Sequence, residues 1–383
     1  MSDTATVTPV REHDLAIGTE NGHHTNGNGM VKTNGALHPV AEETKILSPE
    51  ERNAVTRLVS YIFRSGRSYL EAQGYTEVVT PRVVRASGAC ENIDTLYQVM
   101  VDGNARWYNG HQAYLAQTGQ LYLEALVPSM GKVYCSGPSF RAEEAVDDRH
   151  LTEFQMMEIE FPATFDMLLN EIEGFIYHIA QDIAKITEPE KYGLTAESIK
   201  RVAGCPARFT RLTYDEAIEK LRSLGEVIEW GDDISSTREA LLVAHFGSQP
   251  IFITRYPDPM VDFGKPIEVE KFFNMMPDAQ NPGRVLSCDT ILPIAGEAVG
   301  SAARVHEVEI MIARLKNSRM YKRLVAKGGS VDDFAWYIER LRTEGSVPHA
   351  GCGFGMSRIT KWIRGSESIM EAVTFPANRA SLI

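Results

Sequence analysis

The sequence predicts an α+β fold in which an antiparallel sheet is flanked by helices. Three observations predict it. A capped amphipathic helix opens the ordered part of the chain and runs into a strand. Two strands joined by a short acidic turn, between Gly137 and Phe154, form a hairpin. A glycine-rich strand from Pro348 to Gly355 passes directly into a helix, and helical periodicity fills much of the interval between the last two landmarks.

Taken in order, residues 1–46 come first. Gly18 to Gly29 is polar, rich in glycine and asparagine, and almost free of large apolar groups, so a disordered tail is expected. The adjacent His23 and His24 belong to that tail rather than to a metal site. Residues 47–383 are expected to form the catalytic domain. Ser48 suits a helix N-cap, Pro49 the first helical position, and Glu51 the reciprocal position of a capping box. Val55, Leu58, Val59, Ile62, Phe63, Tyr69 and Leu70 follow helical spacing until Gly74, and Tyr75 to Thr80 reads as a strand before Pro81. Helical patterns over Met167 to Ile186, Tyr214 to Leu224 and Thr237 to Phe246 predict a helical insertion spanning 165–245. Pro250 to Pro257 returns to a strand.

The bulk numbers exclude several classes. Hydrophobic residues make up 43% of the chain and charged residues 23%, as in a globular protein. No apolar run reaches membrane-spanning length, so no membrane partner is expected. Asp3, Glu12, Asp14 and Glu20 argue against a transit peptide, and no signal-peptide core precedes them. Five scattered cysteines without a CxxC pair argue against zinc and for a reduced, cytoplasmic compartment. A net charge of -12 disfavours a broad nucleic-acid surface but leaves room for a local basic patch.

The landmarks also carry chemistry. Arg141 ends one strand of the hairpin, and Arg149 and His150 stand across the turn. An arginine fork pairs with phosphate oxygens in bidentate fashion, so these groups form a candidate phosphate clamp. Phe154 offers a face for adenine. The glycines of the later strand, Gly353 and Gly355 among them, let a nucleotide approach the backbone, and Arg358 arrives from the helix start. Asp289 and Glu297 are hard oxygen donors suited to Mg2+ shared with phosphates; taken alone, they read rather as a pair of surface acids on a hairpin.

The stretches Gly137 to Glu143, Arg149 to Phe154 and Pro348 to Arg358 resemble motifs two and three of the class II aminoacyl-tRNA synthetases, in the asparaginyl/aspartyl branch. The first helix, strand and proline resemble motif one, which builds the dimer interface in that family. The resemblance covers nearly all of residues 50–376. It implies a class II synthetase core, a homodimer and an ATP-dependent ligase using Mg2+. It places Arg141, Glu143 and Arg358 in catalysis, and Arg149, His150, Phe154, Glu297, Gly353 and Gly355 around ATP. It makes Asp289 and Glu297 the metal acids, and Gly300 with Arg304 readers of the amino acid. Gln117, Gln120 and Glu124 match the segment that separates aspartate from asparagine; Leu123 stands where aspartyl enzymes carry lysine. Ser87 and Glu91 match a mobile loop over the amino acid, although the loop sequence diverges.

Three departures set the functional expectation. The space of an anticodon-binding barrel holds only the polar tail. The turn Glu143-Glu144-Ala145-Val146-Asp147-Asp148 is acidic where charging relatives meet the tRNA acceptor end. Ser357 precedes Arg358 where synthetases carry glutamate, an ending similar to that of ammonia-dependent asparagine synthetases. The expectation is therefore an AMP-forming ligase that activates the carboxylate or amide of aspartate or asparagine. With ammonia as partner it would yield asparagine, and from an activated amide, beta-cyanoalanine; tRNA is set aside. A tRNA-charging enzyme and an inactive amino-acid-binding regulator are the alternatives.

Overall fold

The structure, a computed structural model, describes residues 30–33, 36–39, 47–86, 93–269 and 271–382. Two compact units divide after Thr44. In the first, Met30–Thr33 pairs antiparallel with Ala36–Pro39; the remainder of the expected tail lies outside the described residues.

The second unit is built on an eight-stranded sheet. Its strands are β1 (Thr76–Glu77), β2 (Val133–Phe140), β3 (Glu153–Phe161), β4 (Thr210–Thr213), β5 (Ile251–Thr254), β6 (Ser287–Leu292), β7 (Gly296–Ala303) and β8 (Ala350–Gly355), in spatial order β1-β2-β3-β8-β7-β6-β5-β4. Every pairing is antiparallel except at the two edges, where β1 joins β2 and β4 joins β5 in parallel. The expected strand after the first helix is only two residues long. Val83–Val84, Gln98–Val99 and Ala113–Leu115 make a separate small sheet.

One face of the large sheet is dry. Helix α1 (Pro49–Ala72) begins with the expected capping box: the Ser48 hydroxyl accepts from the Glu51 N–H, and the Glu51 carboxylate accepts from the Ser48 N–H. Its Leu58, Ile62 and Leu70 join Leu168, Ile172, Phe175 and Ile179 of α2 (Phe165–Ala184) in one buried cluster with Ile159, Phe354 and Trp362. The span 165–245 is largely helical, as expected, but it is integral to the fold. Helix α2 lies in the main core, because its apolar face is buried there, and β4 closes one sheet edge by pairing with β5.

Period-two alternation assigns the other face to a site. In β8, Ala350, Cys352 and Phe354 enter the core, which leaves Gly351, Gly353 and Gly355 on the opposite side. In β3, Met157, Ile159 and Phe161 face the core, while Phe154, Met156, Glu158 and Glu160 line a cavity of about 510 Å³. Two satellite clusters wall that cavity. One joins residues 214–253 to Ile291; the other gathers α3 (Val308–Asn317), α4 (Arg319–Ala326) and α5 (Ala335–Glu344).

Candidate active site

The residues expected to clamp phosphate gather at the mouth of the hairpin. Arg141 follows β2, its N–H bonds the Thr152 carbonyl at 3.0 Å, and its guanidinium lies 5.4 Å from the centre of the Phe154 ring. Arg141, Glu143, Arg149, His150 and Phe154 all line the cavity. The turn between the strands is organised by Asp147, whose Oδ1 accepts from the Arg149 and His150 N–H groups at 2.8 and 2.9 Å. Asp147 also pairs with the His150 ring at 2.7 Å, and Asp148 pairs with the buried Lys361 at 3.0 Å. Asp148 is therefore matched by a positive partner, and Asp147 is engaged in hydrogen bonds within the turn. The acidic turn is less open to an approaching phosphate than its sequence suggests.

Arg149 is not an open cation. Its Nη2 holds Glu239 Oε2 at 2.9 Å, and the same Glu239 oxygen accepts from the Glu297 N–H at 3.3 Å. Burial and the neighbouring Glu297 push the Glu239 carboxyl up to about 7. Arg358 enters from helix α6 (Met356–Arg364), and burial lowers its pKa. It donates from Nη1 to the Glu297 carbonyl, which engages one part of a guanidinium that carries five N–H donors. Gly353, Gly355 and Ser357 line the wall beside it.

The two expected metal acids come together on β6 and β7. Both line the cavity, but Asp289 is engaged by Lys271 Nζ at 2.6 and 2.8 Å. The Tyr256 ring lies 3.8 Å from that ammonium. Burial and the neighbouring Glu297 raise Asp289 to about 6 against the opposing Lys271 charge. Among the described residues no cluster of three or more His, Cys, Asp or Glu could hold a metal ion. Two hard carboxylates beside a phosphate clamp still fit Mg2+, which characteristically completes its shell with phosphate oxygens and water.

At the far end lies a buried ion network. Arg304 donates from Nε and Nη2 to Glu160 Oε1 at 3.0 and 2.6 Å, while Glu160 Oε2 has no hydrogen-bond partner. Gly351 is required here. A Cβ at that position would fall 2.1 Å from the Glu160 carboxyl. Glu124 does not line the cavity, correcting its expected place at the substrate. It is fully buried behind Arg304, accepting from Asn274 at 2.9 Å and meeting Tyr337 and His349. Burial would raise both carboxyls. His349 and Arg304 override it at Glu124 and hold that group low, whereas Glu160 is pushed up to about 7. Gln117, Gln120, Gly300 and Arg304 do line the cavity, whereas Ser87 and Glu91 lie outside the described residues.

Sequence reasoning missed Glu160, Lys271, Glu239 and Asn274. Only Glu158 and Glu160 gave a signal, as two acids spaced two apart in an otherwise apolar strand.

The family described as tRNA synthetases class II (D, K and N) matches residues 44–379. An asparagine--tRNA ligase of Desulforamulus reducens is 34% identical over 328 residues, covering 85% of this chain and 69% of that protein. Its counterpart in Pelotomaculum thermopropionicum matches equally, at 34% over 328 residues with the same coverage of 85% and 69%. Among solved structures, asparaginyl-tRNA synthetase of Pyrococcus horikoshii complexed with asparaginyl-adenylate superposes with a TM-score of 0.70 at 27% identity, covering 92% of this chain and 79% of the other. The Entamoeba histolytica asparaginyl-tRNA synthetase with asparaginyl-adenylate gives 0.71 at 27% identity, covering 87% and 69%. The chain belongs to the class II aminoacyl-tRNA synthetases of the aspartate, lysine and asparagine group, ATP-dependent ligases that form an aminoacyl-adenylate.

Proposed function

We propose that this protein activates asparagine as its adenylate and transfers the asparaginyl group to tRNA. The observation that carries the substrate is the Arg304–Glu160 pair. A primary amide offers one acceptor oxygen and N–H donors; Arg304 supplies the donors and Glu160 Oε2 the acceptor. A side-chain carboxylate would bring a second negative charge against Glu160. Leu123, in the wall where aspartyl enzymes carry lysine, supports the same choice.

With the amide held there, the α-carboxylate faces the clamp. Its oxygen attacks the α-phosphorus in line, and the bond to pyrophosphate breaks. Arg141, Arg149 and Arg358 hold phosphate oxygens as charge develops, with Phe154 under adenine. Asp289 and Glu297 would hold Mg2+, which offsets phosphate charge. A hydroxyl of the tRNA 3′ terminus then attacks the acyl carbon and AMP leaves. The earlier exclusion of tRNA is withdrawn: its relatives are charging enzymes, and Asp148 of the acidic turn is matched by Lys361. A homodimer through α1 and the following strand accompanies this reading, supported by Val79, which is 97% exposed beyond β1.

Ser357, lining the cavity before Arg358, favours a second reading. There the adenylate passes to ammonia, or an activated amide loses AMP to give beta-cyanoalanine. One experiment separates them. Purified protein with Mg-ATP is given asparagine or aspartate, with and without unfractionated tRNA, and products are read by mass spectrometry. Asparagine-dependent pyrophosphate exchange and tRNA-dependent AMP release are expected. AMP with free asparagine or beta-cyanoalanine in the absence of tRNA overturns the charging reading; faster exchange with aspartate overturns the substrate.

A further inference from the structure

Between Glu309 and Asp332 the chain contains no acid and six basic residues, although acids number 51 across its 383 positions. The fold turns part of that stretch into a ridge. Helix α4 buries Met320 and Leu324, which fixes the orientation of its other positions. Arg319, Arg323 and Lys327 follow at one-turn spacing, the last at the helix C-cap. Arg319 and Arg323 line the cavity wall, and Lys327 continues the row away from it. Lys322 is exposed on the adjoining row. Arg106 approaches the end of the helix: its Nη2 lies 4.0 Å from where a Cβ on Gly328 would stand.

Among the described residues, Asp94 meets the row at two points, Lys327 at 2.8 Å and Arg323 at 3.9 Å. The same segment ties the ridge to the clamp. Thr95, next to Asp94, accepts the Ala142 N–H at 2.8 Å, one residue beyond Arg141. The ridge therefore stands beside the phosphate clamp and leads into the cavity from outside, on a protein whose net charge is -12.

We propose that Arg319, Lys322, Arg323 and Lys327 form the docking ridge for the sugar-phosphate backbone of the tRNA 3′ strand, which runs along α4 into the cavity. The proposal rests on the charging reading above. Spaced cations along an exposed helix beside the reaction centre neutralise successive phosphates of an extended strand without reading sequence. The ridge offsets the acids of the turn by placing the strand on the α4 side of the mouth.

The test uses the full-length protein and Lys322→Glu/Lys327→Glu, with Lys322→Ala/Lys327→Ala as a milder pair; neither lysine lines the cavity. Three quantities are measured: asparagine-dependent pyrophosphate exchange without tRNA, KM for tRNA in aminoacylation, and tRNA binding by fluorescence anisotropy. The charge-reversed pair should raise KM for tRNA by about tenfold or more and weaken binding equally. The alanine pair should show a smaller change in the same direction, and exchange should match the parent protein throughout. A parent protein that charges tRNA, with variants whose KM and binding are unchanged, overturns the ridge and leaves the charging reading standing. A parent protein that exchanges pyrophosphate yet neither binds nor charges tRNA overturns the charging reading, and the ridge with it.

Discussion

In the proposed reaction, Glu160 is the residue on which amide recognition turns. Its Oε1 is held by Arg304 while Oε2 has no partner, and burial pushes its carboxyl up to about 7. Above that value it is ionised and accepts an amide N–H; below it, the protonated group donates and can meet a carboxylate oxygen. The preference for asparagine over aspartate in kcat/KM should therefore shrink as pH falls from 8 toward 6. A preference constant over that range would assign discrimination elsewhere. Glu160→Gln should lower kcat/KM for asparagine by about 10- to 100-fold, the loss of one hydrogen bond to a charged group at roughly 1.5–3 kcal/mol. The same logic applies at the clamp. Glu239 fixes one nitrogen of Arg149 from 90 residues away. Glu239→Gln should raise KM for ATP about tenfold with a smaller change in kcat, and Arg149→Lys added to it should cost little more, since the two side chains act as one unit. Additive effects, or a lost kcat with unchanged KM, would show that the pair serves folding only.

At the scale of elements, β8 is the piece most constrained by its neighbours. Its register sets Gly351 opposite Glu160 and Gly353 opposite Glu158; the Glu160 carboxyl occupies the space a side chain at 351 would fill, and the Met156 methyl that of a side chain at 353. Gly351→Ala should cost both activity and stability, because its Cβ would fall 2.1 Å from the Glu160 carboxyl and 2.3 Å from the Ile159 carbonyl oxygen of the paired strand. Asparagine KM should rise and the urea midpoint should fall together; a lowered midpoint with unchanged KM would make the glycine a packing residue only. By contrast, Ser48→Ala removes a cap on α1 far from the cavity and should lower stability by about 1 kcal/mol without altering KM. Both elements were legible in the sequence because their signals are local: a capping box within four residues, and glycines alternating with apolar residues along one strand. The partners of the site were not. Arg304 and Glu160 lie 144 positions apart, and Glu239 sits on a helix that reads as an ordinary surface segment. Their meeting follows from strand order in the sheet, which no local pattern announces. Resemblance pointed to Glu124 as a substrate contact, and the structure sets it behind Arg304 outside the cavity lining, because similarity marks a neighbourhood and not which side chain faces the cavity.

For the whole molecule, the question is how a chain with a net charge of -12 receives a polyanion. A uniformly acidic surface would repel tRNA at every approach, and the sequence alone made that the stronger expectation. The fold changes the balance by matching Asp148 with Lys361, and by gathering part of the acid-free stretch onto one helix beside the cavity. Attraction is then local and limited to about three or four cations. Counterion release predicts the consequence: with about 0.7 ions released per single-strand phosphate neutralised, log K for tRNA should fall with log salt at a slope near -2 to -3. The long-range field of the acidic chain also keeps association slower at low salt than for a basic protein, so raising salt should weaken binding mainly through faster dissociation. Anisotropy titrations across a salt series, with stopped-flow rates at each point, measure both quantities. A slope of much greater magnitude would require a second basic surface away from α4, and no slope at all would mean that phosphates are not what this protein holds.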